Sequence, residues 1–291
     1  MRKVALLGNG DWGKILKRYL ESSTLFNLTS IYSRTIKEEK GTNDFEDVLN
    51  SNVEAVFIAL PPELLAQYTK KCLEAGKHVF CEKPLSSDPK VVKMLFELAA
   101  ANKVNLYVNY IYTLSPSINY IKENIESIGP IKSIKLRLNQ YGKFYDNQNS
   151  FETVGCHLLS TFFYWFPSIG LSQLKFEILR DLNDHNDILL KAESPNYCIE
   201  FESNLLSEEK DRLFHVLGEK GSLSFTPLEK VSITHKVDEK VKEYSFNELD
   251  NIANSLNHFS MILDKKIESN DELCHKVSVT LELIKKHGKG R

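Results

Sequence analysis

Glu82-Lys83-Pro84 sets an acid, an amine and a backbone-fixing residue side by side, directly after the apolar run 79–81. A lysine held at a strand end beside a proline is a candidate proton-transfer group. Upstream, Gly8-Asn9-Gly10-Asp11-Trp12-Gly13 follows the apolar run 4–7 and precedes a helical spacing of Ile15, Leu16 and Tyr19. Glycines at these intervals allow a tight turn, close approach of backbone to a pyrophosphate, and close packing of helix on strand. The helix start then offers its free N–H groups to phosphate. Gly8, Asn9, Gly10, Asp11, Trp12 and Gly13 are therefore predicted to cradle a dinucleotide whose nicotinamide reaches Lys83. After a second apolar run, 28–32, an NAD-selective site would carry an acid for the ribose 2′-hydroxyl. Ser33-Arg34-Thr35 stands there instead. An arginine with two hydroxyls suits a 2′-phosphate, so NADP is expected, with NAD possible. The plainer reading of Arg34 is stacking over the adenine, with either cofactor accepted.

The elements that must position these groups follow from periodicity. Runs 4–7, 28–32, 55–60, 77–81 and 104–108 read as strands, and 14–20, 44–49, 63–75 and 89–102 as helices. This alternation predicts a doubly wound parallel sheet, an α/β Rossmann fold, with ligands at the carboxyl ends of its strands. Ala59, Leu60 and Pro61 end one strand, and Glu82, Lys83 and Asn109 end two others; all are expected beside the cofactor. Strand-like runs in series, at 132–139, 174–180, 188–192, 197–203, 212–217, 222–225, 231–235 and 241–245, predict an open, mostly antiparallel sheet in the second half. Runs 249–265 and 273–286 read as closing helices. The expected division is a Rossmann domain over 1–116 and a substrate-binding and oligomerisation α/β domain over 117–291. The charge run 208–212 reads as a solvated turn. The polar segment 142–150, rich in Asn, Gln and Tyr, reads as a loop near the active site.

With 291 residues the chain is long enough for two domains, and its net charge of −2 leaves no electrostatic footprint for nucleic acid or an anionic membrane. No apolar run approaches the ~20 residues of a membrane span. Five scattered cysteines without metal spacing favour reduced thiols and a cytoplasmic location. There is no H-E-x-x-H, P-loop or G-x-S-x-G pattern, and no metal site is expected.

The string Ala75-Gly76-Lys77-His78-Val79-Phe80-Cys81-Glu82-Lys83-Pro84-Leu85, with the glycine motif and the run 55–61, resembles the glucose–fructose oxidoreductase/inositol dehydrogenase (Gfo/Idh/MocA) family. The likeness extends, more loosely, through 109–116, 127–131 and 216–223. The resemblance implies NAD(P)-linked oxidation or reduction of a sugar, cyclitol or nucleotide sugar as small-molecule substrate. It also implies Lys83 as the acid/base group, often before a cis proline, and a dimer or tetramer. His157 matches the histidine that contacts the reacting hydroxyl in the family's D-x-G-x-H pattern. The aspartate position is Thr153, with Glu152 one residue out of register, and Leu65 stands where a histidine often follows the cofactor loop. The plain alternative for His157 is a satisfied histidine at a helix start. Tyr110 and Tyr112 either contact substrate hydroxyls or line a cleft. Catalysis would join proton transfer at Lys83 to hydride transfer at the nicotinamide, with His157 sharing the hydroxyl's hydrogen bond. Two other functions fit the same residues. One is a non-catalytic NADP-binding regulator, which Thr153 and Leu65 favour. The other is a biliverdin-reductase-like reductase of an unsaturated substrate.

Overall fold

The computed structural model describes residues 1–35, 39–227, 233–247 and 250–289. The chain divides into two compact units, Met1–Ile111 with Asp250–Ser278, and Tyr112–Leu249 with Val279–Arg291.

The first unit is built on β1 (Arg2–Leu7), α1 (Asp11–Glu21), β2 (Phe26–Tyr32), β3 (Gly41–Thr42), α2 (Phe45–Asn50), β4 (Ala55–Ile58), α3 (Pro62–Glu74), β5 (His78–Glu82), α4 (Pro89–Ala101) and β6 (Leu106–Asn109). Its six strands are all parallel, in the order β3-β2-β1-β4-β5-β6. That order reverses direction at β1, so the crevice at the carboxyl ends of β1 and β4 is the place for a ligand. Helices cover both faces of such a sheet, which is why β4 is buried at all four positions. Asp44 and Asp88 accept from backbone N–H groups to cap α2 and α4.

The second unit carries α5 (Pro116–Asn124), β7 (Ile131–Tyr141), a π-helical turn (Phe151–Gly155) running into α6 (Cys156–Trp165), then β8 (Lys175–Leu182), β9 (Asp187–Glu193), β10 (Cys198–Asn204), β11 (Leu206–Gly218), β12 (Gly221–Phe225), β13 (Ile233–Val237) and β14 (Lys240–Tyr244). The order is β14-β13-β12-β11-β7-β10-β9-β8. Only β7–β10 is parallel; the other pairs are antiparallel. One face is apolar, with Ile134, Leu136, Ile199, Phe201, Leu190, Phe214 and Val216 all buried. The other face alternates in charge and is partly solvated, as an antiparallel sheet with one covered face should be. Of the expected strand 231–235, residues 231 and 232 lie outside the described residues, as does residue 249 of the expected helix.

Two expectations are corrected. The charge run 208–212 lies inside β11, not in a solvated turn. The pairing shifts between Leu206 and Asp211, after which Asp211 and Arg212 sit opposite Asn139 and Leu138. A bulge absorbs the surplus polar residues and lets the strand continue. Second, α7 (Asn251–Leu263) belongs to the first unit, not to a continuous domain over 117–291. Phe259 is fully buried and packs against Phe57 at 5.5 Å and Phe80 at 5.6 Å between ring centroids. Phe26 and Tyr107 join the same aromatic core. The last helix, α8 (Asp271–Lys289), passes from the first unit into the second. Among the described residues no helix is long and apolar enough to cross a membrane.

Candidate functional site

The glycine turn lies between β1 and α1, where the sequence places it. Gly8 has φ +105°, and a Cβ there would fall 2.3 Å from the Ala59 carbonyl oxygen. A Cβ on Gly13 would fall 2.2 Å from the carbonyl oxygen of Gly8. Both positions therefore demand glycine, one for turn geometry and one for helix–strand contact. Gly10 differs: a Cβ there meets nothing within 4 Å. Gly10 also caps α1 without any side-chain hydrogen bond to the helix's first N–H groups. An open space before an uncapped, eleven-residue helix fits a pyrophosphate, which would take the N–H groups that no side chain takes. Asn9 and Trp12 are half-buried in this turn and Asp11 is exposed.

Ala59 and Leu60 follow β4, half-buried, and Ala59 donates its N–H to Leu7 at 2.8 Å; Pro61 is exposed and opens α3. Ser33, Arg34 and Thr35 follow β2, with Ser33 held by its N–H on the Thr42 carbonyl at 3.1 Å. Arg34 and Thr35 are exposed. The sheet register thus sets the glycine turn and the Ser33–Arg34 pair at the ends of adjacent strands, β1 and β2.

Glu82 and Asn109 are register partners at the ends of β5 and β6. The Asn109 amide donates to Glu82 Oε1 at 2.9 Å, and Ser255 on α7 donates to Asn109 Oδ1 at 2.9 Å. Asn109 is 1% exposed and Ser255 fully buried. Burial pushes the Glu82 carboxyl above its ordinary range; Asn109, the Trp12 indole and the Lys83 ammonium all oppose that rise and do not overcome it. Lys83 itself is half-buried, and its peptide to Pro84 is cis. Asn270 clasps the edge strand β6, its side chain accepting from the Val108 N–H at 3.2 Å and donating to the Val108 carbonyl at 2.7 Å.

Tyr110 is buried in the first unit, 2% exposed. Tyr112 lies in the second, on a 3-10 turn (Ile111–Leu114). Its ring meets the His157 ring edge-on at 5.0 Å and the Phe214 ring at 5.3 Å. His157 is half-buried in the first turn of α6. Thr153, where the family pattern has aspartate, donates its hydroxyl to the Asn149 carbonyl at 3.1 Å. Glu152 does not take over: its carboxylate accepts from Lys285 at 2.9 Å and from the Asn149 N–H at 3.1 Å. Leu65 is 1% exposed and packs in the core. His78 accepts at Nδ1 from the Asn105 N–H at 2.9 Å.

Two residues escaped the sequence reading. Ser255 extends the Asn109–Glu82 chain, and only the tertiary placement of α7 reveals it. Arg212 donates to the Tyr112 hydroxyl at 3.1 Å and to Gln140 Oε1 at 3.4 Å. A signal for Arg212 existed: it shares strand phase with the apolar Phe214 and Val216, which places a cation on the core face. The loop 142–150 lines a cavity of about 590 Å³, with Phe144, Tyr145, Gln148, Glu152, His185 and Lys285 among its walls. None of the residues singled out for cofactor, proton transfer or substrate lines that cavity. Among the described residues no cluster of His, Cys, Asp or Glu could hold a metal ion.

Residues 2–110 match the sequence model of a family described as an oxidoreductase family with an NAD-binding Rossmann fold, the Gfo/Idh/MocA family. A scyllo-inositol 2-dehydrogenase (NADP(+)) of Bacillus subtilis is 29% identical over 160 residues, 50% of this chain and 48% of that protein. The chain thus spans about half the length of the curated relatives it matches. A 3-ketoreductase from Actinomadura kijaniata, solved with NADP and TDP-benzene, superposes with a TM-score of 0.81 at 18% identity, over 97% of this chain and 96% of that one. A biliverdin reductase from Synechocystis, solved with biliverdin and NADP+, gives 0.78 at 16% identity over 99% of both. At these identities the likeness is one of fold.

Proposed function

We infer that this chain, whose residues 2–110 match the NAD-binding Rossmann model of the Gfo/Idh/MocA oxidoreductase family, is an NADP-linked dehydrogenase or reductase. Its substrate would be a sugar, cyclitol or nucleotide sugar carrying a secondary hydroxyl or the corresponding ketone. The observation that carries the reading is the glycine turn. Gly8 and Gly13 leave no room for side chains, while Gly10 faces open space before an uncapped helix. Ser33-Arg34-Thr35 at the next strand end supports NADP over NAD, since no acid stands there to repel a 2′-phosphate.

When bound, the nicotinamide supplies hydride transfer. The chain's residues supply position and protons. Gly8 to Gly13 hold the pyrophosphate, and Arg34 with Ser33 and Thr35 takes the 2′-phosphate. Ala59, Leu60 and Pro61 flank the cofactor beyond β4. Lys83 Nζ accepts the proton of the reacting hydroxyl during oxidation and returns it during reduction. His157, steadied by the Tyr112 ring, shares that hydroxyl's hydrogen bond. Glu82 and Asn109 brace the strand ends from which Lys83 projects. The protein acting on this small-molecule substrate is expected to form a dimer or tetramer and to reside in the cytoplasm.

The test is a fluorescence titration with NADPH and NADH, followed by a hydride-exchange screen of sugars, cyclitols, nucleotide sugars and biliverdin. Expected are tighter NADPH binding, weakened at least tenfold in Arg34→Ala, and turnover on a hydroxylated substrate. Tight NADPH binding with no turnover on any class would replace this reading by a cofactor-binding regulator. Turnover on biliverdin alone would replace the substrate class.

A further inference from the structure

Three arginines lie on the sheet of the second unit, and they are treated differently. On the solvated face, Arg137 holds Glu202 at 2.6 Å and Asp211 at 2.7 Å. On the same face, Arg180 holds Asp187 at 2.9 Å and Glu202 at 2.8 Å. Three carboxylates, with Glu202 shared, thus face these two cations. Arg212 sits next to Asp211 in β11, and the alternation of the strand turns it to the other face. It shares the phase of Phe214 and Val216, both fully buried, and pairs with Leu138.

There it is half-buried, and among the described residues its acceptors are neutral, the Tyr112 hydroxyl and Gln140 Oε1. Its Nε is buried without an acceptor among the described residues, and no carboxylate among them pairs with it. A guanidinium presents five N–H donors. Two are spent on Tyr112 and Gln140, which leaves one on each terminal nitrogen for a ligand. A partly desolvated cation without a counter-charge favours an anion, and two parallel N–H groups match the two oxygens of a carboxylate or phosphate. The place is chemically apt, because the Tyr112 ring that contacts this guanidinium through its hydroxyl also packs against His157.

We propose that Arg212 anchors an anionic group, a carboxylate or a phosphate monoester, on the hydroxylated substrate, with Tyr112 and Gln140 holding the guanidinium in place. This rests on the oxidoreductase reading above and narrows its substrate class to sugar acids or sugar phosphates. Arg212 is thus a specificity-determining residue. Neutral sugars fit the same apolar and hydroxyl contacts but leave the cation without a counter-charge.

Calorimetric titration of the NADP-loaded protein with matched ligands tests this: D-galacturonate, D-gluconate and D-galactose 6-phosphate against D-galactose. The expected result is that at least one anionic ligand binds tenfold or more tightly than galactose. Arg212→Gln should remove that preference while leaving NADPH fluorescence unchanged. Arg212→Lys, which keeps the charge but loses the fork, should retain part of it. The galacturonate and phosphate arms decide which oxyanion is meant. The proposal is overturned if galactose binds as well as the anions, if none of the anions binds, or if Arg212→Gln keeps the preference. Should Arg212→Gln not fold, Arg212→Lys decides, since an unchanged galacturonate affinity in it also overturns the anchor. Failure of NADPH to bind sinks the oxidoreductase reading alone. The titrations need no turnover and then judge Arg212 on the cofactor-free protein.

Discussion

Glu82 and Glu152 are both buried acids, at 9% and 3% exposure, and each precedes a residue with candidate chemistry. Glu82 adjoins Lys83 and Glu152 stands five positions before His157, yet the two are held by different means. Glu152 has a cation on it, Lys285 at 2.9 Å, together with a backbone N–H. Glu82 is held by a neutral group, the Asn109 amide, with Lys83 contributing through its charge, and burial raises its proton affinity. The same contrast separates Arg137 and Arg180, each paired with carboxylates, from Arg212, which has neutral partners only. Where charge is fully compensated the group holds the fold. At Arg212, whose partners among the described residues are neutral, the chain keeps electrostatic capacity for something else.

The largest effect should come at Lys83, beside the buried Glu82. Lys83→Met removes the proposed proton carrier and keeps the length of the side chain. Turnover on whichever substrate the screen finds should drop about 10²–10⁴-fold, the usual worth of a positioned acid/base group. NADPH affinity should stay within a few-fold of wild type. Near-normal turnover would show that Lys83 is not the proton carrier, and the contrast with Glu152 would lose its functional half.

On the compensated side the effect should be structural. Lys285→Met leaves Glu152 buried without its cation. A fully buried pair costs about 3–5 kcal/mol to break in this way. Lys285 is 36% exposed, so water recovers part of the loss, and about 1–3 kcal/mol is expected in urea denaturation. Adding Glu152→Gln should restore part of it, and the double-mutant cycle would give the coupling directly. A loss under about 0.5 kcal/mol, with no coupling, would mean that Glu152 is stabilised by its N–H partner alone.

The half of this contrast that was legible in the sequence is the half governed by local rules. The glycine turn, the parallel strands and the Glu82-Lys83-Pro84 strand end follow from short-range spacing and from the continuous apolar runs of a sheet buried on both faces. Strands of the second sheet were legible from alternation, because one face is solvated. What stayed hidden is long-range. Asn251 to Leu263 reads as a helix either way, and nothing local says that Phe259 must join Phe57 and Phe80 rather than the second sheet. Phe259→Ala should cost about 3–5 kcal/mol and unfold the first unit's core if that assignment is right. The run 208–212 misled because five charged residues outweigh strand propensity in any local reading. Its bulge is fixed only by pairing with β7. Thr153 was seen as a departure, but that Lys285 claims the neighbouring Glu152 depends on 133 residues of intervening chain.

The subtlest separation between the two acids is in pH. Burial holds the Glu82 carboxyl above the ordinary 4.5 in the folded chain, so the folded state binds this proton more tightly than the unfolded state. The group's contribution to stability is then fully present below about pH 4.5 and is lost as pH rises through its folded value. Glu82→Gln mimics the protonated form and keeps an oxygen to accept from Asn109. Its thermal stability should match wild type near pH 4.5 and exceed it toward neutral pH, by on the order of 1 kcal/mol, or about 2–4 °C for a chain of this length. If the curves of wild type and Glu82→Gln run parallel from pH 4 to 8, the folded chain does not raise the Glu82 carboxyl above its unfolded value, and burial is offset by its partners.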